Sequence, residues 1–174
     1  EIGCSSGFML DAFRDAGLNP VGIEPSGGFD NFLEEKGYTV FKSLDDLGDN
    51  YSGEFDLICH FFLLEHISDT VSFIHRQLDL LKPKGMIIAE VPCVNDPLTS
   101  LYEIQAFEKF YWSIAHHYYF SPKSISRILD TINCKYKIVP EQRYDLSNHL
   151  VWMQQGVPGG QGHYNHVFSD STLD

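Results

Sequence analysis

The feature that most constrains this chain is its alternation of apolar strand-like runs with helical stripes. Residues 55–62 read Phe-Asp-Leu-Ile-Cys-His-Phe-Phe, nearly all apolar. A run of that kind suits a central strand of a parallel sheet, which is covered on both faces. Ahead of it, Met9, Ala12, Phe13 and Ala16 recur at helical spacing, with Ser5 or Ser6 as cap and Gly17 with Pro20 as stop. Residues 21–23 form a short strand ending at Glu24. Residues 29–36 read as a helix closed by Gly37, and 38–41 as another strand. Val71, Ile74, Leu78 and Leu81 share one face of a helix over 69–81, which Lys82-Pro83-Lys84-Gly85 ends before a strand at 86–91. Residues 95–120 are rich in aromatic side chains and irregular or partly helical. Ser121-Pro122 then opens a helix whose stripe is Ile125, Ile128, Leu129 and Ile132. Residues 136–139 and 150–153 are expected to be the last two strands, and the chain beyond Gly156 a loop or tail. This order predicts a doubly wound α/β sheet with helices on both faces, and a ligand site at the carboxyl ends of the strands.

Length and charge narrow the function. The 174 residues suffice for one domain, expected over 1–155 with 156–174 as its tail. The chain carries 24 acids against 12 bases, a net charge of −12. Residues 1–60 hold twelve of the acids and only three bases. Such a balance disfavours nucleic acid, which is bound by Lys and Arg that displace phosphate counterions, and disfavours anionic membranes. There is no run of 18 apolar residues and no signal peptide. Cys4, Cys59, Cys93 and Cys134 form no C-x-x-C pair, which fits reduced thiols in a cytoplasmic protein. The chain opens at Glu1 directly on a motif, so a preceding segment is expected.

That motif is Glu1-Ile2-Gly3-Cys4-Ser5-Ser6-Gly7, a strand end, a small-residue turn and a helix start. Gly3 and Gly7 allow backbone to approach a ligand closely. Glu24 follows 21 positions after Gly3, at the end of the second strand, where an acid can accept both hydroxyls of a ribose. The dinucleotide pattern G-x-G-x-x-G fails, since Ser5 and Phe8 stand at its second and third glycine positions. A phosphate-binding P-loop also fails, since no Lys occurs before Lys36. With Glu1 in the loop and no base before Arg14, pyrophosphate is a poor guest. A cationic, phosphate-free adenosine compound such as S-adenosylmethionine fits better.

Four stretches now converge: E-I-G-C-S-S-G at 1–7, V-G-I-E-P-S at 21–26, F-D-L-I-C-H-F-F-L-L-E-H-I at 55–67 and L-L-K-P-K-G at 80–85. In this order and spacing the chain resembles the class I S-adenosylmethionine-dependent methyltransferases, in the group with a Leu-Glu-His signature. The resemblance covers about residues 1–92. It implies a Rossmann-like, mostly parallel seven-stranded sheet, truncated at its N-terminus, and S-adenosylmethionine as cofactor with S-adenosylhomocysteine as product. It also implies that Gly3, Cys4, Ser5 and Gly7 line the methionine part, with Glu1 toward the sulfonium. Glu24 would bind the ribose, with Pro25 and Ser26 beside the adenine. Asp45, Asp46 and Leu47 would lie where the family places a carboxylate on the adenine amino group, with the choice between the two acids open. His60, Phe61 and Phe62 would pack near the cofactor, and Glu65-His66 would brace a turn.

The acceptor is expected to be a small molecule. Its pocket would be roofed by an insert over about 93–120, with His116 or His117 as base and Tyr111 and Tyr119 as contacts. Arg143, Asn148 and His149 would contact it from a polar segment that, by analogy, suggests a sugar or glycan-precursor hydroxyl. No metal site is expected, because His163-x-x-His166 lacks acid or Cys partners. The competing reading is a non-catalytic domain that keeps the cofactor fold, and the failed dinucleotide pattern argues against a dehydrogenase. Oligomeric state is not legible in the sequence.

Overall fold

The computed structural model describes residues 1–164, 166 and 167. The chain divides into two compact units, Glu1–Val91 and Pro92–Asp174.

The first unit is the wound sheet. Helix α1 (Phe8–Asp15), strand β1 (Val21–Ile23), helix α2 (Asp30–Glu35), strand β2 (Thr39–Phe41), strand β3 (Phe55–Phe61), helix α3 (Thr70–Leu80) and strand β4 (Leu81–Glu90) follow one another. Strand β1 pairs parallel with β2, and β3 parallel with β4. The segment at Ile2 joins the two pairs. Ile2 bridges Ile23 in parallel, and its N–H donates to the Cys59 carbonyl at 2.9 Å. The order is therefore β2, β1, the Ile2 segment, β3, β4, all running one way, so the turns that leave their carboxyl ends share one rim.

Both faces of this sheet are covered. Ile2, Ile23, Leu47, Ile58 and Leu80 bury one face, with Phe73 of α3 against them. Cys4, Leu10 and Leu33 bury the other, beneath α1 and α2. Gly22 shows why the second face is tight: a Cβ there would lie 2.7 Å from the Cys4 sulfur. A cavity of about 480 Å³ lies at the opposite, amino-terminal ends of β1 and β3, between Pro20, Val21, Phe55 and Leu57.

The second unit is helical: α4 (Pro97–Ser100), α5 (Gln105–Tyr111), α6 (Pro122–Ile132) and α7 (Leu146–Gln155). Ser121 caps α6 by accepting from the Ser124 N–H at 3.1 Å, with Pro122 in the first turn as expected. Leu98, Phe107 and Trp152 form the core, Trp152 meeting the Phe107 ring edge-on with centroids 5.1 Å apart.

Several expectations are corrected. Residues 150–153 are not a strand but the middle of α7. Asp145 caps that helix by accepting from the Asn148 N–H at 2.8 Å, the buried Ser147, Asn148, Val151 and Trp152 lie at helical spacing, and Gly156 ends it in the left-handed region. Residues 136–139 form no strand. Helix α3 stops at Leu80, and 82–85 run inside β4 as an irregularity: Phe55 pairs with Leu81 and Leu57 already with Met86. Among the described residues the parallel sheet thus has four strands and the Ile2 segment rather than seven strands. Of the expected tail, Gly159 to Tyr164 is held on α7. The Asn148 amide donates to the Gly159 carbonyl, Gly162 N–H donates to Asp145, and Tyr164 N–H donates to Ser147. Asn165 and residues 168–174 lie outside the described residues.

Candidate cofactor site on the carboxyl rim of the sheet

The rim site begins with a turn that only small residues permit. Gly3 and Gly7 have φ of 78° and 76°, and Ser5 between them is also left-handed at 47°. The turn closes with the Gly7 N–H donating to the Cys4 carbonyl at 2.8 Å, and α1 starts at once. At Gly7 a Cβ would lie 2.6 Å from Leu33, so glycine serves both backbone and packing there. At Gly3 a Cβ would meet only Leu63, at 3.8 Å, which leaves the exposed side of the turn open.

Glu24 stands beside this turn, buried but for 7% of its surface. One carboxylate oxygen accepts the Ser5 N–H at 2.8 Å and the other the Ser26 N–H at 2.9 Å. Burial alone would raise its pKa. The hydrogen bonds from Ser26 and Ser5, with the charge of Lys42, outweigh burial and hold the carboxyl below its ordinary range. Two of about four lone-pair positions are thereby used, so an anionic Glu24 keeps acceptor capacity for a diol. The fixed turn, the open face at Gly3 and the ionised Glu24 fit an adenosine ligand without phosphate. The anchoring donors Ser5 and Ser26 and the nearby Lys42 were not legible as such, because nothing in the sequence gives backbone direction.

A family model described as a methyltransferase domain matches residues 1–137. The chain belongs to this family. It is 32% identical over 94 residues to a ubiquinone biosynthesis O-methyltransferase of Methylococcus capsulatus, covering 50% of this chain and 40% of that one. A protein of the same description from Actinobacillus pleuropneumoniae is 32% identical over 98 residues, covering 50% and 42%. The chain spans about two-fifths of the length of these curated relatives. A S-adenosylmethionine-dependent methyltransferase structure from Archaeoglobus fulgidus superposes with a TM-score of 0.60 at 19% identity, covering 92% of this chain and 80% of that one. A putative methyltransferase of Haloferax volcanii, in complex with its Trm112 activator, gives 0.65 at 14%, covering 94% and 74%. Together these place the chain among the class I S-adenosylmethionine-dependent methyltransferases, with the Rossmann-like fold the sequence predicts.

Within this methyltransferase domain several of the expected cofactor residues are buried. Cys4 is buried, and burial with the charges of Glu1 and Glu24 pushes its thiol up to about 11, so it offers the turn its backbone alone. Leu47 is a core residue. His60 is 1% exposed, packs edge-on against Phe73 with centroids 5.6 Å apart, and has no partner on either ring nitrogen. Burial lowers its pKa to about 4 and keeps it neutral. Next to the carboxyl end of β3, its ring is enclosed rather than exposed. Asp46 closes its own turn by accepting from the Ser43 N–H at 2.8 Å, whereas Asp45 is exposed, 3.9 Å from Arg76. Pro25 and Ser26 are exposed on the rim, Phe61 is half-buried and Phe62 is 37% exposed. Glu1 is half-buried at the edge of the amino-terminal cavity, with its pKa raised by burial. Glu65 lies in a single helical turn, Leu64–His66, and burial raises its pKa too.

The expected acceptor residues belong to the second unit. The Tyr111 hydroxyl donates to the Cys93 carbonyl at 2.6 Å, and the Tyr119 hydroxyl donates to the Tyr111 carbonyl at 2.8 Å. Both hydroxyls therefore brace backbone. The His116 ring rests 5.0 Å from that of Tyr119, and His117 is exposed. Asn148 and His149 are buried, His149 lying 3.0 Å from the Gln142 amide, which makes them packing groups of α7. Arg143 is exposed. Among the described residues no helix is long and apolar enough to cross a membrane.

Proposed function

We propose that this chain is the cofactor-binding part of an enzyme that transfers a methyl group from S-adenosylmethionine to a hydroxyl of a small molecule. The observation that carries the reading is Glu24, ionised, anchored by Ser5 and Ser26, and set beside the Gly3–Gly7 turn. The relatives' description as O-methyltransferases supports oxygen as the accepting atom. It favours their kind of acceptor over a sugar.

S-adenosylmethionine, when bound, supplies an electrophilic methyl group on a positively charged sulfur. Glu24 accepts the ribose hydroxyls, and Gly3, Ser5 and Gly7 offer backbone along the methionine part. Asp45, the acid left open, receives the adenine amino group. The protein's work is alignment and exclusion of water. His116 and His117 are the candidates to take the proton that the acceptor hydroxyl gives up. The acceptor is a small molecule, and a cytoplasmic setting fits the free cysteines.

The test is transfer of labelled methyl to a panel of phenolic and sugar hydroxyls, run beside a titration with S-adenosylhomocysteine. Label on a phenolic oxygen is the expected result. Cofactor binding without transfer to any acceptor would favour the non-catalytic reading.

A further inference from the structure

The two edges of the sheet differ. Strand β2 ends one side with three residues, and β4 ends the other with ten. A short edge strand discourages pairing with another molecule, whereas a long one presents a row of N–H and C=O groups to it. The ladder shows which groups of β4 point outward. Phe61 pairs with Glu90, and the Phe62 N–H donates to the Glu90 carbonyl at 2.9 Å. Glu90 therefore turns its backbone groups toward β3, and by the two-residue period so do Ile88 and Met86. Ile87 and Ala89 turn theirs the other way, where no strand pairs with β4 among the described residues. Pro83 lacks an N–H and stands in the irregular stretch at the head of the strand, a position that suits an edge.

The side chains of this edge suit a second copy of the chain. Ile87 packs into the core, so the opposite face of β4 carries Met86 and Ile88, 57% and 46% exposed. The head of the strand is basic and its far end acidic: Lys82 is held by Asp56 at 2.8 Å, Lys84 is exposed, and Glu90 is half-buried. We propose that β4 is an interface between two copies of this chain, paired antiparallel about a two-fold axis at Ile87. In that register the outward groups of the two Ile87 residues exchange both hydrogen bonds, and Ala89 of each copy meets Gly85 of the other. Met86 of each lies opposite Ile88 of the other, and Lys84 opposite Glu90. A carboxylate has about four acceptor positions, so Glu90 can receive Lys84 whatever else it bonds. A parallel pairing would instead set Lys84 beside Lys84. Pairing consumes the long edge of each copy and leaves only the short β2 edges, so association stops at two.

Sedimentation equilibrium over a range of concentrations tests this on the wild-type chain, Ala89→Pro, Ile88→Lys and Lys84→Glu. The wild type should pass from monomer to dimer. Ala89→Pro removes an N–H that the monomer does not bond and that the dimer needs, so it should weaken association by at least about tenfold. Ile88→Lys sets a charge against Met86 of the other copy and should weaken it by about tenfold, and Lys84→Glu by about threefold. Should Ala89→Pro fail to fold, Ile88→Lys, a change on the exposed face, still decides. Hydrogen exchange of the wild type gives the register: the Ile87 and Ala89 amides should exchange more slowly as concentration rises. A chain that stays monomeric at every concentration would overturn the proposal. So would a dimer that forms equally well in all three variants, or one that leaves exchange at Ile87 and Ala89 unchanged.

Discussion

The two units of the chain use their residues differently. In the first, the groups at the rim are mostly backbone: left-handed turns at Gly3, Ser5, Gly7 and Phe62, and N–H groups that anchor one carboxylate. In the second, the conspicuous side chains hold the fold, as with the Tyr111 and Tyr119 hydroxyls on carbonyls and Asn148 on Gly159. The first unit also holds most of the acids, and the second is close to charge-balanced. A cofactor common to a family can be met by a fixed backbone turn. A region whose polar groups are already spent on itself leaves its ligand harder to read.

The contrast can be broken or sharpened by substitution. The largest effect expected is from Trp152→Ala, which empties the core of the second unit. It should cost about 3–5 kcal/mol in a denaturant titration. Gly7→Ala comes next, combining a left-handed φ with a Cβ that would sit 2.6 Å from Leu33. It should cost about 2–4 kcal/mol, readable as a melting temperature lowered by about 5–10 °C. If Gly7→Ala melts like wild type, the turn is not rigid.

A pH effect follows in size. His60 is held neutral with a pKa near 4, against 6.5 for the free side chain. As pH falls below 6.5 the unfolded chain takes up a proton at this site and the folded chain does not. Stability is therefore complete above 6.5 and declines as pH falls to about 4, by up to about 3 kcal/mol. His60→Leu should flatten that part of a stability profile measured by urea titration. An unchanged profile would contradict the buried, neutral imidazole. The smallest effect is expected at Asp145→Ala, which removes the α7 cap and the Gly162 tether. It should cost about 1–2 kcal/mol, with faster proteolysis after Gly156 as a second readout.

Much of the first unit was legible in the sequence, because its information is local. The small-residue turn at Gly3–Gly7, the acid ending β1 and the apolar run of β3 each declare themselves within a few positions. What was missed there concerns side-chain direction. His60 is enclosed against Phe73, and a helical turn uses Asp46 on itself, and both facts rest on contacts that the sequence does not spell out. The second unit was read less well. Residues 150–153 are apolar enough for a strand, and the decisive signals were the Asp145 cap and the Gly156 stop, which mark a helix. The roles of Tyr111, Tyr119, Asn148 and His149 depend on contacts between segments distant in sequence, which composition does not reveal.

The central claim is that Glu24 holds the ribose of an adenosine cofactor. Calorimetric titration of S-adenosylhomocysteine into the wild-type chain and Glu24→Ala tests it directly. Losing charge-assisted bonds to two hydroxyls should weaken binding by at least tenfold. Equal affinity in the two proteins would contradict the account.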